Sequence, residues 1–570
     1  MRNPEVAKIF YEIALLLEMD NVQFKPRAYE KAARAIEALE ESVEELYAKG
    51  GQKSLMDIPG VGKSIAEKIE ELIKTGKMQY YEDLLKKVPV DLESLSGVEG
   101  LGPKTIKTLY QQLGIKNIDD LERAAHEHKI SKLPGFKEKT EQNILKGIEF
   151  AKKSKGRYIL GFVLPQVRDI ENRLKSVQGV TKVVASGSVR RWKETIGDAD
   201  FLVISKDHPK VMDFFVSMPE VVDVVSKGDT KSTVRLRNGM QADIRVLSEE
   251  NFGAALQYFT GGKDHNVALR RIAQEKGMKL SEYGLFKGEQ QIGGRTEEDV
   301  YEILGLKWMP PELRENTGEI EAALNNKLPK LVGYEEVIGD LQTHTTWTDG
   351  ANTIQEMAVE ADRLGLEYIV ISDHSKGLAM TGGLDEKKLV QQGQEIDKVN
   401  DKVKGIRVLK GVELNIQKDG TLDISDEVLE GLDVVGAAVH SNLNMEKDEM
   451  TKRVLKAMEN PNVDIICHPT ERQIQKREAV QLDIERVIEV AKDTGTILDI
   501  DSYPDRLDLK DEYIRKAVKV GTKLGISSDS HSKIHLHYLE LGIAQARRGW
   551  ATAKDIVNSR EVDGFLRLLK

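Results

Sequence analysis

With 570 residues, 40% of them hydrophobic and 31% charged, the chain is too long for one compact core and reads as about two to four soluble domains. No apolar run approaches the roughly 18 residues that span a bilayer, so no membrane segment is expected. A single cysteine, Cys467, excludes a disulfide framework and a thiolate zinc cluster, so any metal site must use His, Asp and Glu. The net charge of −10 hides an uneven distribution: residues 129–157 carry nine Lys/Arg against three Glu. Such a stretch suits either a phosphate backbone or a solvated helix face.

At the N-terminus Val6, Ile9, Phe10, Ile13, Leu16 and Leu17 follow helical spacing, interrupted by Glu5, Lys8 and Glu12. That is an amphipathic helix, not a secretory signal, and a cytoplasmic protein is expected. Residues 1–155 read as short helices between glycine turns, with an internal near-repeat. Its copies are Ile58-Pro59-Gly60-Val61-Gly62-Lys63 and Gly100-Leu101-Gly102-Pro103-Lys104, with a looser third in Leu133-Pro134-Gly135-Phe136-Lys137. Glycine allows the sharp turn, and the helix that follows offers unpaired N–H groups to a phosphate oxygen. Ordinary helix–helix turns also use glycine. Two matched copies, each followed by a lysine (Lys63, Lys104), favour DNA-backbone binding through Gly60, Gly62, Gly100 and Gly102. The motif resembles the helix-hairpin-helix of DNA repair proteins.

From 156 to 250 the pattern changes to runs of period two at 181–186, 201–204, 233–237 and 241–247, which predict an antiparallel or mixed sheet. Within it lies Gly187-Ser188-Val189-Arg190-Arg191-Trp192-Lys193-Glu194-Thr195-Ile196-Gly197-Asp198-Ala199-Asp200. Two aspartates two apart on a strand project from one face. Asp243 sits in another apolar strand, where a bare carboxylate is costly unless paired or metal-bound. Three converging carboxylates are what two Mg²⁺ or Mn²⁺ ions require to activate a 3′-hydroxyl and hold a triphosphate. Gly187 and Ser188 supply an amide and a hydroxyl for phosphates, and Arg191 a charged fork. Residues 251–310 return to helix and turn, and Met309-Pro310-Pro311 opens a polar connector to about 336.

This stretch, together with Asp243 and Tyr258-Phe259-Thr260-Gly261-Gly262-Lys263-Asp264-His265-Asn266, resembles the family X DNA polymerases, the group that includes DNA polymerase beta. The resemblance implies that Asp198, Asp200 and Asp243 are the catalytic metal-binding triad and that Ser188 and Arg191 hold the β and γ phosphates. Tyr258 and Phe259 would pack beside the sugar and disfavour a 2′-hydroxyl. Gly261 belongs to the same nucleotide-binding set, Asn266 would face the incoming base, and Arg270 would touch the template strand. Gly262 stands where the family usually has serine, so this loop is expected to be more mobile. The resemblance also puts Lys68 where the family's Schiff-base lysine lies. That lysine would remove a 5′-deoxyribose phosphate if its pKa were depressed, whereas a lysine on a helix is otherwise solvated surface.

Beyond the connector, short apolar runs recur at 337–341, 368–371, 406–412, 434–439, 463–467, 496–500 and 524–526, with helix-length segments between them. Alternating strand and helix predicts a parallel, closed or nearly closed barrel. Seven of the 11 histidines follow residue 340, and five of those end apolar runs. His344, His374, His440, His468 and His531, with Glu413, Asp529 and Asp349, gather at one rim and suit Zn²⁺, Mn²⁺ or Fe. This half resembles the PHP (polymerase and histidinol phosphatase) domain, a distorted (β/α)7 barrel with up to about three metals. The resemblance makes these eight residues ligands. It also marks Gln342 as a departure, standing where the first His of an H-x-H pair belongs. Asp499 and Asp501 either add carboxylate density or solvate a strand end.

The expected architecture is therefore multidomain α and α/β. Its parts are an N-terminal helical domain (1–85), a second hairpin region (86–155), a nucleotidyltransferase-type palm (156–250), a thumb (251–310), a linker (311–336) and a PHP barrel (337–570). The implied function is gap-filling DNA synthesis in repair on gapped or nicked double-stranded DNA with dNTPs, by a monomer. The barrel would supply metal-dependent 3′–5′ exonuclease and abasic-site endonuclease activity. The alternative is a polymerase whose barrel is a metal-stabilised scaffold. A small-molecule phosphatase would leave the hairpins and the aspartate constellation unexplained.

Overall fold

The computed structural model describes residues 3–37, 39, 41–98, 101–154, 156–378 and 381–570. In the helical N-terminal region, helix Lys63–Thr75 starts at an extended Gly62 and ends at a left-handed Gly76 (φ 70°). Helix Pro103–Leu113 repeats the design, with Gly102 before it, proline in its first turn and Gly114 (φ 69°) after it. Ile65, Ala66, Ile69 and Leu72 of the first helix and Ile106 and Leu109 of the second join one core with Phe10, Ile13 and Leu17 of helix Asn3–Met19.

The middle domain is built on a five-stranded sheet in the order Val180–Ala185, Asp198–Ser205, Gln241–Leu247, Lys231–Leu236, Val221–Lys227. The second and third strands pair in parallel, with Asp200 opposite Asp243, and the other pairs are antiparallel. Side chains alternate as a strand demands. Phe201, Val203, Ile244 and Val246 pack with residues of helices Leu160–Lys175 and His208–Val216. Leu202 packs on the opposite face with Phe252, Ala255 and Leu256 of helix Glu249–Thr260. Strand Val221–Lys227 was not legible as a strand because it is an edge strand whose valines Val222, Val224 and Val225 are exposed.

Two features of the next segment differ from expectation. The region read as helix and turn also contains a three-stranded antiparallel sheet, Lys279–Ser281, Gly284–Lys287 and Gln290–Gly293. Its strands are too short to display a period. The polar connector, moreover, is folded: Ile320 and Ala323 of helix Glu319–Leu324 share a core with Leu269, Ala273 and Tyr301. Its buried Glu312 pairs with Arg547 of the barrel at 2.6 Å. Buried Arg314 donates to both carboxylate oxygens of Glu297 at 2.5 and 3.2 Å.

The C-terminal region is a seven-stranded sheet in sequential order, Gly339–Thr343 through Leu524–Ser527, with every pair parallel. A bridge from Thr343 to Ser530, in which the His344 amide donates to the Ser530 carbonyl at 2.7 Å, joins its last strand to its first. This is a nearly closed (β/α)7 barrel. Leu341, Val370, Leu409, Val434, Ile465 and Ile497 pack in one core cluster of the barrel.

Candidate active sites

In the middle domain the parallel pair sets Asp198 and Asp200 in the same row as Leu202, and Asp243 lies across from Asp200. Ligand atoms from all three lie within 4.8 Å of one another. Gly187 turns over them with φ +64°, and an added Cβ would stand 2.8 Å from Asp200 Oδ2, so only glycine leaves that space open. Burial, together with Asp198 and Asp243, pushes Asp200 up to about 7, and burial and Asp243 also raise Asp198. Arg245 and Lys231 do not offset this rise, and a divalent ion would supply the further positive charge. Asp243 is fixed by Thr233, whose hydroxyl donates to Oδ1, and by Gln241 Nε2 at 3.1 Å, with Lys231 3.6 Å away.

Several of the other residues expected to bind nucleotide are engaged with protein groups. Arg191 donates to Glu315 at 2.9 Å and to the Thr260 carbonyl at 2.6 Å. Arg190 forks onto Glu297 at 2.7 and 2.8 Å. Ser188 lies in the short helix Gly187–Arg190. Asn266 donates to the carbonyls of Tyr258 (2.6 Å) and Gly261 (3.1 Å), so it ties down the turn that follows Phe259. Arg270 is exposed on the same helix as Asn266. Gly262 is not a slack position. It is buried, its amide donates to the Arg314 carbonyl at 2.9 Å, and an added Cβ would crowd that oxygen at 2.9 Å.

In the helical region Gly62 and Gly102 open their helices without a side-chain cap, and Lys63 and Lys104 begin and follow those turns. Gly100 lies outside the described residues. Lys68 is half-buried, donates to the Ser64 carbonyl and hydroxyl at 3.0 and 2.9 Å, and lies 4.7 Å over the Tyr80 ring. Burial lowers its pKa.

The barrel's second site is denser. Glu413 lies at its centre: His374 Nδ1 is 2.8 Å from Oε2, and His440 and His468 present Nε2 to Oε1 at 3.0 and 2.8 Å. His344 Nε2 is 3.1 Å from Asp529 and 3.5 Å from Glu413, and His531 Nε2 is 3.5 Å from Asp349. Two groups, His344–Asp349–His374–His531 and His374–Glu413–His440, each bring their ligand atoms within 4.8 Å. All eight expected residues are thus brought to one rim.

Several atoms there are close together yet off hydrogen-bond geometry. Of 17 buried polar side-chain atoms without a hydrogen-bond partner among the described residues, nine belong to Gln342, His344, His374, Asp349, Glu413, His468, Glu471 and Asp501. Buried polar groups are normally satisfied, so this concentration fits residues shaped around cations. The electrostatics agree. Burial works against charge on His531, yet Asp349 pushes it up to about 9. Glu413 is fully buried, and His374 and His440 overcome that burial to hold it well below the carboxylate range.

Sequence reasoning missed three supporting residues. Glu471 pairs with His468 Nδ1, and Asn415 Oδ1 lies 2.8 Å from His440 Nδ1, which aims both Nε2 atoms at Glu413. Arg506 is partly buried between Glu471 (3.4 Å), Asp501 (3.5 Å) and Asp529 (3.8 Å). The third group, His440–His468–Glu471, carried no signal beyond a glutamate three residues after a histidine. Asp499 and Asp501 do not solvate a strand end. Both are buried, and Asp499 accepts from Ser527 at 2.8 Å, while burial pushes it up to about 8.

Comparison with known proteins bears directly on both sites. Over 577 aligned residues the chain is 37% identical to the DNA polymerase/3′-5′ exonuclease PolX of Bacillus subtilis, covering 100% of both chains. The chain belongs to the family X DNA polymerases that carry a PHP domain. Residues 1–78 match a helix-hairpin-helix domain, 92–149 a SAM-like helix-hairpin-helix tandem, 255–315 the DNA polymerase beta thumb and 340–503 the PHP domain. Asp529 and His531 fall beyond that last span, yet the fold returns them to the same rim. Other relatives match only part of the chain. DNA polymerase lambda of Rattus norvegicus is 27% identical over 53% of this chain and 55% of its own. A probable phosphatase of Acetivibrio thermocellus is 35% identical over 34% of this chain and 78% of its own.

Proposed function

We propose that the chain is a DNA-directed DNA polymerase that fills short gaps in repair and shortens 3′ ends with a separate barrel nuclease. The observation that carries this is the pair of independent ligand clusters: a three-carboxylate row on the middle sheet and a histidine–carboxylate rim on the barrel. In the first, Asp198, Asp200 and Asp243 would hold Mg²⁺ or Mn²⁺, which lowers the pKa of the primer 3′-hydroxyl and neutralises the triphosphate. Gly187 and Ser188 would receive the phosphates, with Arg191 exchanging Glu315 for them. Tyr258, Phe259 and Gly261 would line the sugar, and Asn266 and Arg270 would meet base and template. Lys68 would serve as the lyase nucleophile, since burial depresses its pKa.

In the barrel His344, Asp349, His374, Glu413, His440, His468, Asp529 and His531 would hold up to about three Mn²⁺, Zn²⁺ or Fe ions, which supply a hydroxide and clamp the phosphodiester. Glu471 and Asn415 orient the imidazoles. The glycine hairpins would grip gapped or nicked DNA by its backbone, and the chain would act as a monomer. Asp243→Asn should lose extension by more than about a hundredfold and keep shortening, because even outer-sphere changes at metal sites cost about 10–100-fold. His440→Ala should do the reverse. Loss of both activities in either folded variant would refute two independent sites.

A further inference from the structure

The mouth of the barrel site does not face open solvent alone: the N-terminal helical domain reaches it. Helix Lys25–Glu37 brings Arg34 Nη1 to 3.5 Å from Asp349 Oδ2, with the arginine side chain 42% exposed and the aspartate 17%. One turn earlier, Lys31 packs against the first glycine hairpin, where a Cβ on Gly60 would stand 2.9 Å from Lys31 Cγ. Glu37, at the end of the helix, accepts from Tyr11 at 2.9 Å and lies in the field of Lys476 and Asp505 of the barrel loops. A single helix therefore connects a DNA-gripping turn to the barrel's metal rim.

Metal ions at the rim would act on the scissile phosphate, while a basic side chain at the mouth would position the entering strand against the surrounding carboxylates. Arg506 is poorly placed to do so, being only 17% exposed and already shared among Glu471, Asp501 and Asp529. Arg34 differs in both respects, being partly exposed at the mouth and touching the rim through one nitrogen. A guanidinium has donors enough to keep a carboxylate on one edge and take a phosphate on the other.

We propose that Arg34 is a substrate-positioning residue of the barrel nuclease, supplied across the domain boundary to hold the phosphate of the strand entering beside Asp349. This role rests on the barrel being a nuclease. The test uses the full chain with Mn²⁺, comparing wild type, Arg34→Ala, Arg34→Lys and His344→Ala. Shortening of a 5′-labelled single strand is measured alongside calorimetric titration of a phosphorothioate dinucleotide, with His344→Ala as the background. Arg34→Ala should raise KM and weaken dinucleotide binding by about tenfold, the effect of one charge-assisted hydrogen bond. Its kcat, bound Mn²⁺ and gap extension should stay within about twofold of wild type, and Arg34→Lys should recover part of the loss. Unchanged KM and binding would overturn the proposal. Faster shortening by Arg34→Ala would replace it with an inhibitory lid, and a fall in kcat together with bound Mn²⁺ would reduce Arg34 to a prop for Asp349. If wild type binds the dinucleotide but shortens nothing, the nuclease reading itself fails.

Discussion

Glu194 of the middle domain accepts both terminal nitrogens of Arg472 in the barrel, at 2.5 and 3.2 Å. Gln545 adds a third donor at 2.8 Å. Glu194 lies in the same short stretch as Ser188 and Asp198, so one segment serves both nucleotide site and domain docking. Trp192 does likewise, its ring 5.8 Å from that of Tyr334. The Arg472–Glu194 pair is mostly buried, with side chains 13% and 20% exposed. Removing one partner strands the other's charge, so Glu194→Ala should destabilise the middle-domain–barrel unit by about 3–5 kcal/mol. Thermal unfolding measures this, and Glu194→Leu with Arg472→Leu should recover most of the loss. Additive losses in the double variant would show that the pair is not coupled.

In the proposed function Arg191 receives a triphosphate, for which it must release Glu315. Glu315→Gln should therefore lower the KM for dNTP by about threefold, as a competing carboxylate is removed. Steady-state gap filling measures this, and a raised KM would show that Glu315 positions Arg191.

Gln342 is buried with Nε2 3.4 Å from Asp529 and Oε1 without a partner among the described residues. An amide oxygen is a weaker ligand than imidazole for Zn²⁺ or Mn²⁺. Gln342→His should retain more metal after dialysis, measured by elemental analysis. Equal metal content would mean that this position lies outside the coordination sphere.

The thumb should be acid-sensitive. His265 is fully buried, Nδ1 2.6 Å from Glu319 and Nε2 3.1 Å from the Tyr301 hydroxyl. Burial lowers its pKa more than Glu319 raises it. The unfolded chain protonates this histidine near about pH 6.5 while the folded one does not, so the unfolded state binds more protons and stability falls as pH drops from about 7 to 5. Glu319, held low by His265 and by backbone amides despite burial, adds further loss as pH falls below about 4. Urea unfolding at pH 7 and 5.5 should show the slope, and His265→Asn should flatten it. A slope unchanged by His265→Asn would place the sensitivity elsewhere.

The grouping of both candidate ligand clusters was legible because their residues follow simple rules. Asp198 and Asp200 obey strand alternation, and His344, His374, His440 and His468 close parallel strands whose C-terminal ends share a rim. What was hidden depends on long-range packing. Glu471 and Arg506 gain meaning only once the barrel closes, and Glu297, Glu315 and Glu319 only once the connector folds back on the thumb. The occupied state of Arg191 and Asn266 was equally hidden, because a motif names a residue's partner in the complex and not its partner without one.

The assignment joins two separate chemistries, nucleotide addition and 3′–5′ shortening, in one chain. Its most direct test is a 5′-labelled primer in a one-nucleotide gap, incubated with Mn²⁺ with and without dNTPs and resolved on a gel. Extension is expected when dNTPs are present and stepwise shortening when they are absent. Folded protein that shortens the primer but never extends it would contradict the assignment of Asp198, Asp200 and Asp243 as a polymerase site.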